Sequence, residues 1–216
     1  MPDLAGAWQA LQVGGVVIYP LLLLAVLAMV IVIEKSFIHA ARVRLPGQLI
    51  ALVETYGFAW GELEQALGRL GEANYFRRFF AVILGNRTHP AWWVESRAAD
   101  EAGLIEKELG RWLWVLETIV TAAPLLGLLG TITGMVRSFK LFGDAGLVDP
   151  AAVTGGVAEA LIATALGLFI ALIALFAFNY LSQRQSQTLD EMERLGTRLI
   201  DHIRLDQQGA QHEAAE

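Results

Sequence analysis

Three long apolar stretches constrain the fold of this chain more than any other feature. They cover residues 13–33, 113–136 and 157–181, and about 20 apolar residues in a helix suffice to cross the hydrocarbon core of a bilayer. The chain of 216 residues is 55% hydrophobic and 18% charged, which is too apolar for an ordinary soluble domain. The sequence therefore predicts an all-α membrane protein with three transmembrane helices.

The distribution of Lys and Arg predicts how these spans are oriented. Within about 20 residues of the span ends, nine of these cations lie on one side of the membrane, and Arg137 and Lys140 lie on the other. Because cationic flanks remain in the cytoplasm, the chain is expected to start and end on opposite sides. The predicted segments are a periplasmic N-terminus (1–12), a cytoplasmic helical region (34–112), a periplasmic loop with the start of the third helix (137–156), and a cytoplasmic C-terminal helix and tail (182–216).

Outside the spans, apolar residues recur at intervals of three and four, which is typical of helices that bury one face. We expect the second and third spans to extend into the cytoplasm as long helices, one of them continuous from about residue 90 through the second span. Asp149 and Pro150 are suited to an N-cap and a first helical turn. A heptad-like set continues the third helix inward, and the tail after Asp206 is expected to be disordered. That set is Leu189, Met192, Leu195, Leu199 and Ile203.

The third apolar stretch contains a carboxylate, Glu159. If the helix starts at Pro150, Glu159 lies about 14 Å along it, within the outer half of the bilayer. An ionised carboxylate facing lipid there costs on the order of 3 kcal/mol or more. Glu159 is therefore expected to turn inward, to be protonated, or to find a cationic or hydrogen-bonding partner. Its role is either functional or the structural one of linking helices.

The second and third spans also carry seams of small residues, which allow helices to approach closely. The packing residues in these seams are Gly127, Gly130, Gly134, Gly156, Ala160, Ala163 and Gly167. Glu117, Thr121 and Thr131 follow a second, partly polar line on the second span. A tight seam beside a polar edge is what a water-accessible path between helices requires. Glu117 and Thr121 are candidate pore-lining residues, although Glu117 is close to the inner boundary and a single threonine commonly bonds its own helix.

Several classes of function are excluded by missing motifs. The chain has no cysteine, and its four histidines are scattered. Neither a phosphate-binding glycine loop nor a GxSxG or HExxH motif is present. A net charge of -6 without a basic patch argues against nucleic acid. We therefore predict no enzymatic activity, no metal and no cofactor.

Two segments resemble a known signature. TAAPLLGLLGTITGMVRSF (121–139) and GGVAEALIATALGLFIALIALFAFNYLSQR (155–184) are similar to the MotA/TolQ/ExbB proton channel family. The three-span layout is closest to the ExbB and TolQ branch, because the MotA branch has a fourth span. The resemblance implies that Glu159 is the essential acid of a proton pathway and that Thr131 and Thr164 line the same pathway.

The resemblance also implies a setting for the chain. Such proteins form a homo-oligomeric ring, thought to be a pentamer, in the bacterial inner membrane around an ExbD- or TolR-like partner with single membrane spans. They use the proton motive force to drive a TonB- or TolA-like protein. The glycine-led first span favours an ExbB-like role in TonB-dependent outer-membrane transport. A TolQ-like role in envelope integrity and a non-conducting membrane scaffold are the alternatives.

Overall fold

The computed structural model describes residues 15–55, 57–140 and 150–213. Its helices are α1 (Ile18–Arg42), α2 (Gly47–Glu54), α3 (Trp60–Gly68), α4 (Tyr75–Asn86), α5 (Ala91–Gly110), α6 (Leu113–Lys140) and α7 (Pro150–Glu213). No strand occurs in this part of the chain. The prediction of an all-α fold is therefore confirmed.

Three helical stretches are long and apolar enough to cross a membrane. They are Ile18–Arg42, Ala91–Phe139, which contains most of α6, and Thr154–Gly209 within α7. Each overlaps one of the predicted spans, so the prediction of three membrane-spanning helices is confirmed and the chain is a multi-pass membrane protein. Pro124 lies inside α6. The backbone accommodates this residue without ending the helix.

The helix predicted to run unbroken from about residue 90 is interrupted once. α5 ends at Gly110 and α6 begins at Leu113, and Trp112 between them has φ +70°, in the left-handed region. Lys35 is 1% exposed, and its Nζ donates to the carbonyl oxygens of Glu108 at 3.1 Å and Leu109 at 2.9 Å. These are carbonyls at a helix end, which need partners from outside the helix. The two-residue interruption corrects the expected continuity, while the extent of helix on either side is as predicted.

The predicted extension of the third helix beyond its span is confirmed, because α7 is a single helix of 64 residues. It begins at Pro150, a position where the missing N–H of proline costs nothing. Asp149, the predicted N-cap, lies outside the described residues. The expectation of a disordered tail after Asp206 was wrong as far as Glu213, to which the helix continues.

The chain divides into two compact units. The first comprises Met1–Ile33 and Trp112–Tyr180, and the second comprises Glu34–Arg111 and Leu181–Glu216. In the first unit the buried side chains include the small ones of Ala123, Ala160, Ala163 and Ala174. Many large apolar side chains of the same unit are exposed, among them Tyr19, Leu23, Leu125, Phe169 and Phe176. Small residues inside and large apolar residues outside are typical of helices that pack in a lipid environment.

The second unit has an ordinary hydrophobic core. Phe76, Phe79, Phe80 and Ile83 of α4 are buried there with Ile105 and Leu109 of α5 and with Met192, Leu195, Leu199 and Ile203 of α7. All but one member of the heptad-like set thus belong to this core. Leu189, the remaining member, is half-buried.

Polar contacts fix how α4 begins in this second unit. The Oδ1 of Asn74 accepts from the backbone N–H groups of Phe76 and Arg77, as an N-cap does. Arg78 is paired with Glu101 at 2.7 Å and with Glu108 at 3.0 Å. Burial raises the pKa of the Tyr75 phenol above its ordinary value of 10.0, so its hydroxyl stays neutral.

Candidate functional site

Glu159 lies in the apolar part of α7 and is paired with an arginine of α6. Its Oε1 is 3.5 Å from the Nη1 of Arg137. The Glu159 side chain is 24% exposed and that of Arg137 is 62% exposed. The carboxylate is thus largely covered, whereas the guanidinium reaches outward from it.

A glycine backbone completes the surroundings of this carboxylate. Gly15, just before α1, has φ +70°. A methyl group at Gly15 would overlap the Oε1 of Glu159 and would lie 3.8 Å from the Nη1 of Arg137. Only glycine combines this backbone conformation with so close an approach. Three elements of the first unit therefore meet at the carboxylate: the turn before α1, α6 and α7.

The small-residue seams bring α6 and α7 together. A Cβ at Gly127 would lie 3.0 Å from the carbonyl oxygen of Ala163, and one at Gly134 would lie 2.9 Å from the Cβ of Ala160. A Cβ at Gly167 would lie 2.5 Å from the carbonyl oxygen of Ala123. Backbone meets backbone at this interface, with no room for a larger side chain.

The same contact extends over the remaining seam residues. A Cβ at Gly130 would lie 2.6 Å from the Cβ of Ala163, and one at Gly156 would overlap the Oγ of Ser138. Ser138 is 3% exposed, and its hydroxyl donates to the carbonyl of Gly134 at 3.0 Å. The packing is therefore tight up to the turn of α6 that carries Arg137.

The environments of the remaining candidate pathway residues differ; these residues are Thr121, Thr131, Thr164 and Glu117. The hydroxyl of Thr164 donates across the helix pair to the carbonyl oxygen of Gly127 at 2.9 Å, whereas that of Thr131 donates within α6 to Leu128 at 2.6 Å. Thr121 likewise bonds its own helix, at Thr118. Thr131 and Thr164 are half-exposed, and Thr121 and Glu117 are exposed. The structure thus links Thr164 to α6, while Glu159 pairs elsewhere, with Arg137.

Sequence reasoning missed both neighbours of Glu159. In the sequence, Arg137 is only a cation that flanks the second span, and Gly15 is only part of a glycine-led first span. A signal for Arg137 existed, because a buried carboxylate was expected to need a cationic partner. For Gly15 the sequence carries no signal beyond the glycine itself. Among the described residues, no group of three or more His, Asp and Glu side chains is placed to hold a metal ion.

Comparison with known families bears on what this arrangement does. The model of the MotA/TolQ/ExbB proton channel family matches residues 72–194, which is more than half of the chain and includes the whole of α6 and Glu159. The chain belongs to this family. The resemblance drawn from residues 121–139 and 155–184 is thereby confirmed, and the family is one of transport components.

Relatives point to the ExbB branch. ExbB-like 1 of Synechocystis sp., named for biopolymer transport, is 35% identical over 195 residues, covering 86% of this chain and 74% of the relative. An ExbB homolog of Methanothermobacter thermautotrophicus is 32% identical over 188 residues, covering 83% and 64%. The biopolymer transport protein ExbB of Aquifex aeolicus is 36% identical over 91 residues, covering 42% and 62%. These matches agree with the branch expected from the three-span layout.

Proposed function

We propose that this chain is the proton-conducting subunit of an ExbB-type motor and that Glu159 is the group that takes up and releases the transported proton. The observation that carries the proposal is the covered carboxylate of Glu159 in an apolar helix of a proton channel family member. An ionisable group at such a depth is expensive to keep and is by default a candidate for function.

The energy source in this proposal is the proton motive force. A membrane potential supplies about 2.3 kcal/mol per charge per 100 mV, which a chain without a nucleotide site can use for work. Thr131 and Thr164 are proposed to line the pathway with Glu159, since both are half-exposed polar groups on the paired helices. Thr121 and Glu117 are proposed to contribute at its inner end.

The setting we propose follows the ExbB branch. The chain forms a ring, a pentamer by the family resemblance, in the bacterial inner membrane, with its N-terminus periplasmic and its C-terminus cytoplasmic. An ExbD-like protein with a single span brings a second acid to the pathway, and a TonB-like protein receives the work for outer-membrane transport. The exposed large apolar side chains of the first unit support this setting, because lipid or other membrane helices must cover them. A TolQ-like assembly, with TolR- and TolA-like partners, uses the same site.

The test replaces the carboxylate by an amide of the same shape. Glu159→Gln is expected to lower proton flux into liposomes containing the purified complex by about a hundredfold or more, because a side-chain amide is neither protonated nor deprotonated at physiological pH. The matched control is Asp190→Asn, which makes the same chemical change at an exposed position of α7 and should conduct as the native chain does. Flux is measured with a pH-sensitive dye under an imposed potential, and assembly by native mass spectrometry.

The pairing of Glu159 with Arg137 favours a second function, a non-conducting scaffold in which the carboxylate links α6 to α7. In that case Glu159→Gln lowers the melting temperature or the yield of the ring, and the native complex shows no proton flux above that of empty liposomes. An assembled variant that has lost its flux contradicts the scaffold. A variant that conducts like the native complex contradicts the proton-carrying role of Glu159.

A further inference from the structure

Arg137 is the cation that the described part of the chain brings to Glu159, and the function proposed above gives it no role. Its guanidinium lies 3.5 Å from the carboxylate. Gly15 lies against the same carboxylate, in a backbone conformation that L side chains rarely adopt. A charge partner and a backbone wall therefore approach one functional group from two different elements.

We propose that Arg137 and Gly15 position the Glu159 carboxylate, with Arg137 as the counterion of its ionised form and Gly15 as the surface against which it rests. The proposal deepens the proposed function and rests on it. A proton-carrying glutamate must exist in both the protonated and the ionised form during each cycle. In apolar surroundings the ionised form persists only if a cation or hydrogen-bond donors stabilise it.

Arg137 is suited to be a counterion, but it is not suited to transfer a proton itself. A guanidinium stays protonated throughout the physiological pH range and has no acceptor atom. Its side chain is 62% exposed while that of Glu159 is 24% exposed. The arginine therefore has room to move away when the carboxylate becomes neutral and the attraction between the two is lost.

Helix packing does not need this ion pair. α6 and α7 are already in backbone contact at Gly127, Gly134 and Gly167. At the turn next to Arg137, Ser138 packs against Gly156. A long, mostly exposed arginine adds little to such an interface. Its contact with Glu159 is better explained by the charge of the carboxylate.

The first experiment varies the charge at position 137. Arg137→Gln is expected to lower proton flux through the complex about tenfold or more, since misplacing a reacting group commonly costs that much. Arg137→Lys keeps the charge and should retain most of the flux. Both variants should assemble as the native chain does, which native mass spectrometry checks.

Chemical rescue separates charge from shape. The chain has no cysteine, so Arg137→Cys introduces a unique thiol at an exposed position. Modification with 2-aminoethyl methanethiosulfonate restores a cation, and modification with methyl methanethiosulfonate leaves the position neutral. The cationic adduct is expected to recover flux, and the neutral one is not. Val136→Cys, at a neighbouring residue that is 50% exposed, is the matched control and should respond equally to both reagents.

The role of Gly15 is tested separately. Gly15→Ala places a methyl group on the carboxylate and should lower flux, whereas Gly155→Ala in α7 meets open space and should not. Because alanine is also strained at φ +70°, the same change is made in the Glu159→Ala background. There the methyl group has no carboxylate to displace, so the loss of thermal stability caused by Gly15→Ala should be smaller than in the native chain.

The outcomes distinguish this inference from the function on which it rests. If Glu159→Gln abolishes flux while Arg137→Gln conducts normally, or if both cysteine adducts of position 137 behave alike, the counterion role is overturned and the proposed function stands. If Glu159→Gln itself conducts normally, the proposed function fails. An equal loss of stability from Gly15→Ala in both backgrounds overturns the inference that Gly15 positions the Glu159 carboxylate.

Discussion

Thr164 and Thr131 both donate their hydroxyl hydrogens to backbone carbonyl oxygens, but these carbonyls lie on different helices relative to the donor. Thr164 bonds the carbonyl of Gly127 on the neighbouring helix, and Thr131 bonds Leu128 on its own. A hydrogen bond between two helices in a membrane stabilises the protein by about 1 kcal/mol. A bond from a threonine to a carbonyl of its own helix does not hold two helices together. The two threonines therefore differ in what they contribute to stability, whatever they share in function.

Valine at each threonine position measures that difference. Thr164→Val is expected to destabilise the purified protein by about 1 kcal/mol, and Thr131→Val by much less, in thermal unfolding followed by circular dichroism in detergent. Equal losses for the two variants would contradict the contact with Gly127. A loss of flux in Thr131→Val without a loss of stability would support its place in the pathway.

Residue identity alone predicted part of the site. The carboxylate of Glu159 stands out because its cost in an apolar segment is large compared with that of any neighbour. Arg137 was missed because it follows the last apolar residue of the second span, where an arginine normally marks a membrane boundary. Its pairing depends on the register between α6 and α7, which no single helix pattern contains.

At the scale of the helix pair, the interface between α6 and α7 is built on glycine. Gly167 has the closest main-chain neighbours on the opposite helix. An added Cβ there would lie 2.5 Å from the carbonyl oxygen of Ala123 and 3.1 Å from the Cα of Gly127. These are main-chain atoms, so the helices themselves would have to separate.

Gly167→Ala is accordingly expected to destabilise the protein by about 1 to 3 kcal/mol, the usual cost of overpacking. Gly155→Ala, in the same helix with open space around it, should change stability by no more than about 0.5 kcal/mol. Thermal unfolding of both variants gives the comparison. A Gly167→Ala protein as stable as the native one would show that the two helices are not held this closely.

The helical elements could be predicted from apolar spacing, but the interruption between α5 and α6 could not. Between residue 90 and Pro124 the sequence has no proline, and its only glycines are Gly103 and Gly110, each of which a helix tolerates at a cost of about 1 kcal/mol. The carbonyls that end α5 are bonded by Lys35, a residue more than 70 positions away in sequence. A helix end stabilised by a side chain that is distant in sequence is a tertiary effect, so the spacing of apolar residues does not predict it.

At the scale of the whole molecule, the positive-inside pattern predicts which parts of the chain face each compartment. Because the chain has no cysteine, this prediction is testable in intact cells with a thiol reagent that does not cross the membrane. Gly155 lies near the N-terminal end of α7, which the pattern predicts to be periplasmic, and Gly71 lies in the second unit, which it predicts to be cytoplasmic. Both are exposed, and a Cβ at either meets open space, so each is replaced by cysteine.

Gly155→Cys is expected to be labelled in intact cells, and Gly71→Cys only after the membrane is opened. The reverse pattern would invert the orientation proposed here. Labelling of both cysteines in opened membranes is the control for their reactivity.

Pro124 removes one main-chain hydrogen bond from the middle of α6, where the neighbouring side chains are mostly apolar. Proline has no N–H, so the carbonyl oxygen of Val120 one turn earlier cannot receive the usual bond of the helix ladder. Hydrocarbon tails cannot supply the missing donor. The Val120 carbonyl oxygen is therefore able to accept a hydrogen bond from a water molecule or a hydroxyl group, which gives an apolar stretch of helix a main-chain site for a polar contact.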